Sequence, residues 1–237
     1  SSGKGGNILI NSSESINIFG VSSDDGRSSG LFASSESSSG GQAGNIILKT
    51  RFLRVADGAT VNVSSVGQGT AGNIDIFARS VLLENRGSID AETKGGEGNI
   101  TFHEANDIIL RNNSRITTNA TDSANGGNIT INTGVLLALS PTGSEGSDIV
   151  ARADRGRGGN IVINAKGIFG IKKRIANPGN RTNDIDASSQ FGLSGQVDIN
   201  TAIDPNNGLI ELPETVVDPD YQVAQNPCNR GWGNEFT

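Results

Sequence analysis

Apolar residues along this chain come in short alternating groups, and the groups recur behind one tripeptide. Gly-Asn-Ile occurs at Gly6-Asn7-Ile8, Gly44-Asn45-Ile46, Gly72-Asn73-Ile74, Gly98-Asn99-Ile100, Gly127-Asn128-Ile129 and Gly159-Asn160-Ile161. A degenerate copy follows at Gly195-Gln196-Val197. The central positions lie 38, 28, 26, 29, 32 and 36 residues apart. Two places after each Ile or Val stands a second apolar residue: Ile10, Leu48, Ile76, Phe102, Ile131, Ile163 and Ile199. Period two puts both on one face of a strand.

Two more strands are expected in each period. The second is rich in aliphatics, as in Ile16-Asn17-Ile18, Phe52-Leu53-Arg54-Val55, Val81-Leu82-Leu83, Ile108-Ile109-Leu110, Val135-Leu136-Leu137 and Ile168-Phe169-Gly170-Ile171. The third centres on one aliphatic: Leu31, Val61, Ile89, Ile116, Ile149 or Ile185. Polar, Gly-rich stretches such as 67–72 and 155–159 then lead back to the next tripeptide. Helical periodicity without Gly interruption is absent. A unit that cannot bury its apolar face alone does so by stacking on its copies. The expected fold is therefore all-β: a right-handed parallel β-helix (β-solenoid) of about seven turns with three short strands per turn. Seven turns at the ~4.8 Å strand spacing would stack to roughly 34 Å. The repeats occupy 1–203, and 204–237 forms a terminal strand and an irregular capping tail. Pro205, Pro213, Pro219 and Pro227 interrupt any ladder there, leaving Tyr221, Cys228, Trp232 and Phe236 to cover the end.

Composition narrows the chemistry. The chain has 237 residues, 33 of them Gly, and a net charge of −6 with a pI near 4.8. Gly/Ser/Asn richness can signal disorder, but the ordered recurrence of aliphatics argues against it. One Cys and one His cannot build a cysteine framework or a Cys/His zinc site. An acidic chain without a basic block is not an ordinary nucleic-acid binder, and no apolar run reaches the length of a membrane helix. No cofactor, metal or catalytic residue is expected.

The repeating asparagines Asn7, Asn45, Asn73, Asn99, Asn128 and Asn160 are read as a structural ladder. Each is expected at a tight bend in a left-handed conformation, with the preceding Gly giving the turn its backbone freedom. Acids that could serve a hydrolase or lyase are Asp24/Asp25, Asp75, Asp90/Glu92, Asp184/Asp186 and Asp198. Asp90 is expected near Asn62 and Thr117 of neighbouring turns, and no column of stacked acids is expected. His103 is expected to face outward without a partner acid, and Cys228 to be a packed thiol. The Ser-rich stretch 22–41 reads as a flexible loop. Arg152, Arg155, Arg157, Lys172, Lys173 and Arg174 form the one basic concentration, a candidate edge for contact with an acidic polysaccharide or lipopolysaccharide.

The strand starts GGNITINT and AGNIDIF, with the closing GLIELPETVVDPDYQVAQNPCNRGWGNEFT, resemble filamentous-haemagglutinin-like exoproteins of two-partner secretion, especially the cyanobacterial type. The closing segment is the more specific part: Leu212-Pro213, Val216-Val217-Asp218, Ala224 to Cys228 and Gly233-Asn234-Glu235-Phe236 match the family's pattern. The resemblance implies a secreted or cell-surface structural or adhesive solenoid, exported through an outer-membrane Omp85-type transporter. It also implies that the chain is the C-terminal part of a longer protein whose N-terminal secretion domain is missing here. Self-assembly or binding to surface polysaccharide is the expected partnership. A polysaccharide-binding or polysaccharide-degrading β-helix enzyme is the alternative.

Overall fold

The structure is a computed structural model that describes residues 4–36 and 40–203. Its regular elements are all strands, and no helix occurs among the described residues. The first repeat contributes β1 (Ile8–Asn11), β2 (Ser15–Phe19) and β3 (Gly30–Phe32). The second contributes β4 (Ile46–Ala56) and β5 (Thr60–Asn62), the third β6 (Asn73–Glu84) and β7 (Ser88–Asp90). Then come β8 (Asn99–Arg111) with β9 (Arg115–Thr117), and β10 (Ile129–Ala138) with β11 (Asp148–Val150). The last are β12 (Ile161–Phe169), β13 (Lys172–Lys173), β14 (Asp184–Asp186) and β15 (Val197–Ile203).

Two parallel sheets result. One runs β1-β4-β6-β8-β10-β12-β15, with β2 beside β4; the other runs β3-β5-β7-β9-β11-β14-β13. Register is set by the repeat. Ile8, Ile46, Ile74, Ile100, Ile129, Ile161 and Val197 form one column. Ile10, Leu48, Ile76, Phe102, Ile131, Ile163 and Ile199 form the next. The short-strand aliphatics line up as Leu31, Val61, Ile89, Ile116, Ile149 and Ile185. The interior members are fully buried and belong to one continuous apolar core.

Three expectations change. The first and second strands of a repeat are separate only in β1 and β2; elsewhere they merge into one long strand. Segments such as Lys49-Thr50-Arg51 and Phe77-Ala78-Arg79 hold no Gly or Pro that would end a ladder, so neighbouring strands continue together. The long sheet absorbs one extra residue in β8. Register slips between Phe77 and Ser80 on one side and between Ile131 and Thr133 on the other, and Glu104 inside this bulge has φ 49°. A third parallel column also exists, made of single bridges through Ser35, Ser65, Thr93, Ala120, Ala153 and Ser189. Finally, the Ser-rich stretch is partly ordered, since it holds β3 and an antiparallel bridge from Val21 to Ser28.

Apart from Gly6, where a Cβ would meet open space, the glycine before each repeating Asn has a different cause from the one expected. A Cβ on Gly72 would fall inside contact distance of the Gly44 carbonyl oxygen, and one on Gly127 would do the same to Gly98. Neither has a positive φ. Close backbone approach between repeats, rather than a turn conformation, selects glycine here.

Candidate functional site

Three side-chain ladders run from repeat to repeat. In the first, each Asn Oδ1 accepts the backbone N–H of the next repeat's Asn: Asn7 from Asn45 at 2.8 Å, Asn45 from Asn73 at 2.8 Å, Asn99 from Asn128 at 3.0 Å and Asn128 from Asn160 at 3.2 Å. Asn73 Oδ1 accepts both the backbone and the side-chain N–H of Asn99, at 3.3 and 3.0 Å. None of these six asparagines has a positive φ, which corrects the left-handed conformation expected of them. That conformation belongs to another column: Asp57, Asn85 and Asn112 have φ of 56°, 49° and 54°. There Asn85 Nδ2 donates to Asp57 at 2.9 Å and Asn112 Nδ2 to Asn85 at 2.9 Å. Asn132, Asn164 and Asn200 form a third ladder on the outer face of the long sheet, with Nδ2-to-Oδ1 distances of 2.8 Å.

The acids fall into distinct settings. Asp24 and Asp25 are exposed, with Asp25 3.1 Å from Arg27. Asp198 is exposed on the outer face of β15, and Glu92 is exposed after β7. Asp90 lies opposite Asn62 and Thr117, as its register position implies, and accepts from the hydroxyls of Thr60 and Ser88 at 2.9 and 2.6 Å. Its other oxygen is buried without a hydrogen bond, 3.6 Å from the Arg115 guanidinium. Glu84, which the sequence does not single out, is buried between Arg54 and Arg111 at 2.6 and 2.7 Å. Burial pushes its carboxyl up, but the hydrogen bonds from Arg111 and Arg54 outweigh that and hold it below the usual range.

A stacked acid pair does exist, contrary to expectation. Ile149 lies opposite Ile185, so Asp148 stands beside Asp184 on consecutive short strands, and the Asp184 backbone N–H donates to Asp148 Oδ1 at 2.8 Å. Burial pushes Asp148 up from 3.8 to about 6, opposed by the Asp184 backbone N–H and reinforced by the charges of Asp184 and Glu145. Asp148 and Glu145 line a groove of about 400 Å³ with Arg115 and Arg152, bordered by Ala176, Asn177 and Pro178. Asp184 is fully buried; Arg174, Asn180 and Thr182 donate to its oxygens. Asp186 accepts from Arg152 at 2.6 Å and from the backbone N–H of Ala176 and Ser188 at 2.8 and 2.9 Å. The pair was detectable, because Asp148-Ile149 and Asp184-Ile185 occupy the same place in two aligned strands.

The basic concentration does not form one open edge. Arg152 and Arg174 neutralise Asp186 and Asp184. Lys172 and Lys173 make up β13, where Lys173 Nζ donates to the Val197 carbonyl at 3.3 Å. Arg155 and Arg157 lie on the Gly-rich return, with backbone N–H groups held by the Asp122 carbonyl and the Asn125 side chain. His103 also differs from expectation, for it has an acid partner. Its Nε2 lies 3.0 Å from Asp75 Oδ1, and its ring stacks on Phe77 with centroids 4.1 Å apart. Asp75 sits opposite Thr101, so the pair is diagonal and escapes a reading that considers only directly aligned positions.

Among the described residues no group of three or more His, Cys, Asp or Glu is arranged to hold a metal ion. No helix among them is long and apolar enough to cross a membrane. Tyr221, Cys228, Trp232 and Phe236 lie outside the described residues. No protein-family model matches the chain, and neither a curated protein nor a solved structure matches it.

Proposed function

We infer that this chain is a secreted or cell-surface structural and adhesive element, built as a right-handed parallel β-helix of about seven turns. One observation carries the reading: the same repeat positions pair in parallel register from β1 to β15, and a continuous amide ladder accompanies them from Asn7 to Asn160. Such a stack is quasi-one-dimensional, suited to holding outward side chains at fixed spacing along an axis. The resemblance of the repeats and closing segment to filamentous-haemagglutinin-like exoproteins supports the same use, with export through an Omp85-type transporter. The purified protein coated on beads should retain them on bacterial or host surfaces. Beads that pass unretained over every such surface would end this reading.

The polysaccharide-degrading alternative is favoured by the Asp148–Asp184 pair. It is weakened by the burial of Asp184 and by the donors that occupy its carboxylate. A general acid or base must reach the bond it acts on; of the pair only Asp148 lines the groove, and the other acid there, Glu145, is held by the Gly179 backbone N–H. Incubation with acidic and neutral polysaccharides, followed by assays for reducing ends and for unsaturated products, should give no turnover. Turnover abolished by Asp148→Asn would establish the enzyme reading instead.

A further inference from the structure

A second groove lies on the opposite chemistry. It opens on the outer face of the long sheet where β1, β4 and β6 bend, and has a volume of about 500 Å³. Lys49, Arg51 and Arg79 line it. Thr50 pairs with Ala78 and Phe52 with Ser80, so Arg51 and Arg79 face one another across adjacent parallel strands. Strands lie ~4.8 Å apart, and like charges directly opposite are destabilising. Several other arginines are matched, Arg54 and Arg111 by Glu84, Arg152 by Asp186 and Arg174 by Asp184, whereas Arg86, Arg155, Arg157 and Arg181 stand without an ion pair among the described residues. In this groove the one carboxylate in an ion pair is the exposed Glu14, 3.4 Å from Arg51, while Arg79 has no ion-pair partner among the described residues. Three cations beside one exposed acid form a local excess in a chain of net charge −6.

The shape of the excess selects the ligand. The Phe77 ring could have served as a stacking platform for a neutral sugar or a base, but His103 occupies one face and the Lys49 ammonium stands over the ring. The His103 ring is 4.1 Å away and within 2° of parallel, and the ammonium lies 5.3 Å from the Phe77 centroid. Recognition therefore falls to charge and hydrogen bonding. The groove lies within the ~300–1,000 Å³ range of organic-ligand sites and is far larger than one small anion needs. Asn11, Ser12 and Ser13 add polar groups suited to sugar hydroxyls along its rim. Nucleic acid is disfavoured by the overall negative charge and by the occupied ring.

We propose that the Lys49–Arg51–Arg79 groove binds an anionic, carboxylate-bearing polysaccharide chain, with Arg51 and Arg79 clamping acidic groups of the sugar units. The proposal deepens the adhesive reading by naming a ligand class, but its binding test is independent of cell attachment. The probe is hexagalacturonate, titrated calorimetrically into the purified full chain, with maltohexaose as the uncharged control and inorganic phosphate as the small-anion control. Hexagalacturonate should bind, more weakly as salt rises, and maltohexaose should not. Arg79→Gln should weaken binding roughly tenfold, the loss of one charge-assisted contact. Lys94→Gln, exposed on a Gly-rich return away from the groove, should leave it unchanged. Without ligand, Arg79→Gln should melt no lower than the parent, since it removes a facing like charge. Absence of hexagalacturonate binding, equal binding of maltohexaose, displacement by equimolar phosphate, an unchanged affinity in Arg79→Gln or a large drop in its melting temperature would each overturn the proposal.

Discussion

Asn99 shows what a single residue contributes to this stack. Its Oδ1 accepts two bonds from Asn128, and its own N–H groups donate to Asn73. Asn99→Leu removes the side-chain donor to Asn73, although the backbone N–H at 99 can still donate there, and leaves both Asn128 donors without that acceptor. The expected cost is about 1–3 kcal/mol, read from urea unfolding. An unchanged midpoint would mean that water replaces the ladder at no cost. Asp148 contributes with the opposite sign. Its carboxyl is raised from 3.8 to about 6, so the folded chain holds a proton there that the unfolded chain releases first. Its effect is absent below about pH 4 and becomes a penalty as pH rises to 6, reduced by the solvent that reaches this partly exposed carboxyl. Asn keeps an acceptor for the Asp184 N–H without the charge. Asp148→Asn should therefore raise the melting temperature at pH 7 and leave it little changed at pH 4; a lower value at pH 7 would refute the assignment.

At the scale of elements, the sequence made the starts of the long strands legible, because an apolar residue directly follows Gly-Asn, and the centres of the short ones, because most carry a single aliphatic between polar neighbours. What it concealed has physical reasons. The merging of first and second strands depends on neighbours that bend together, and no local residue announces it. The bridge column through Ser65, Thr93 and Ala120 uses small residues without apolar periodicity, inside a stretch that composition marks as loop. The Asp75–His103 contact is diagonal, and the site at Arg51 and Arg79 depends on register across a bend. Glycine misled in its cause rather than its place. Its role at the repeat start is close approach, which gives a paired test. Gly127→Ala sets a methyl against the Gly98 carbonyl, whereas Gly143→Ala meets open space. The first should lose about 1–3 kcal/mol by overpacking and the second almost nothing, as measured by thermal melts of both variants. Equal melting temperatures would show that the repeats can slide apart to admit a Cβ.

For the whole molecule, the consequence of repeat-by-repeat register is that one unit should be removable. Between Ile74 and Ser80 the chain advances by the same number of residues as between Ile129 and Val135, while β8 between them carries the extra residue. Deleting residues 99–127 joins Gly98 to Asn128 and restores the Gly-Asn-Ile start. It brings β10 onto β6 without a bulge and sets Ile149 opposite Ile89. The amide ladder then passes from Asn73 to Asn128. Glu84 loses Arg111 but keeps Arg54, so its buried charge stays paired. In a stack whose stability is close to a sum of repeat and neighbour terms, such a deletion lowers stability without abolishing folding. The shortened chain should keep its β circular dichroism and a cooperative melt at a lower temperature. A deletion of half a repeat gives the contrast. Removing residues 99–111 takes out β8 alone, so that β9 follows β7 with no long strand between them. Short strand then follows short strand out of phase with the repeat, and Ile74 and Ile129 both lose their partner Ile100, so this chain should expose apolar strand edges and aggregate. If the two deletions behave alike, register between repeats is not what organises the fold, and the one-dimensional stack fails with it.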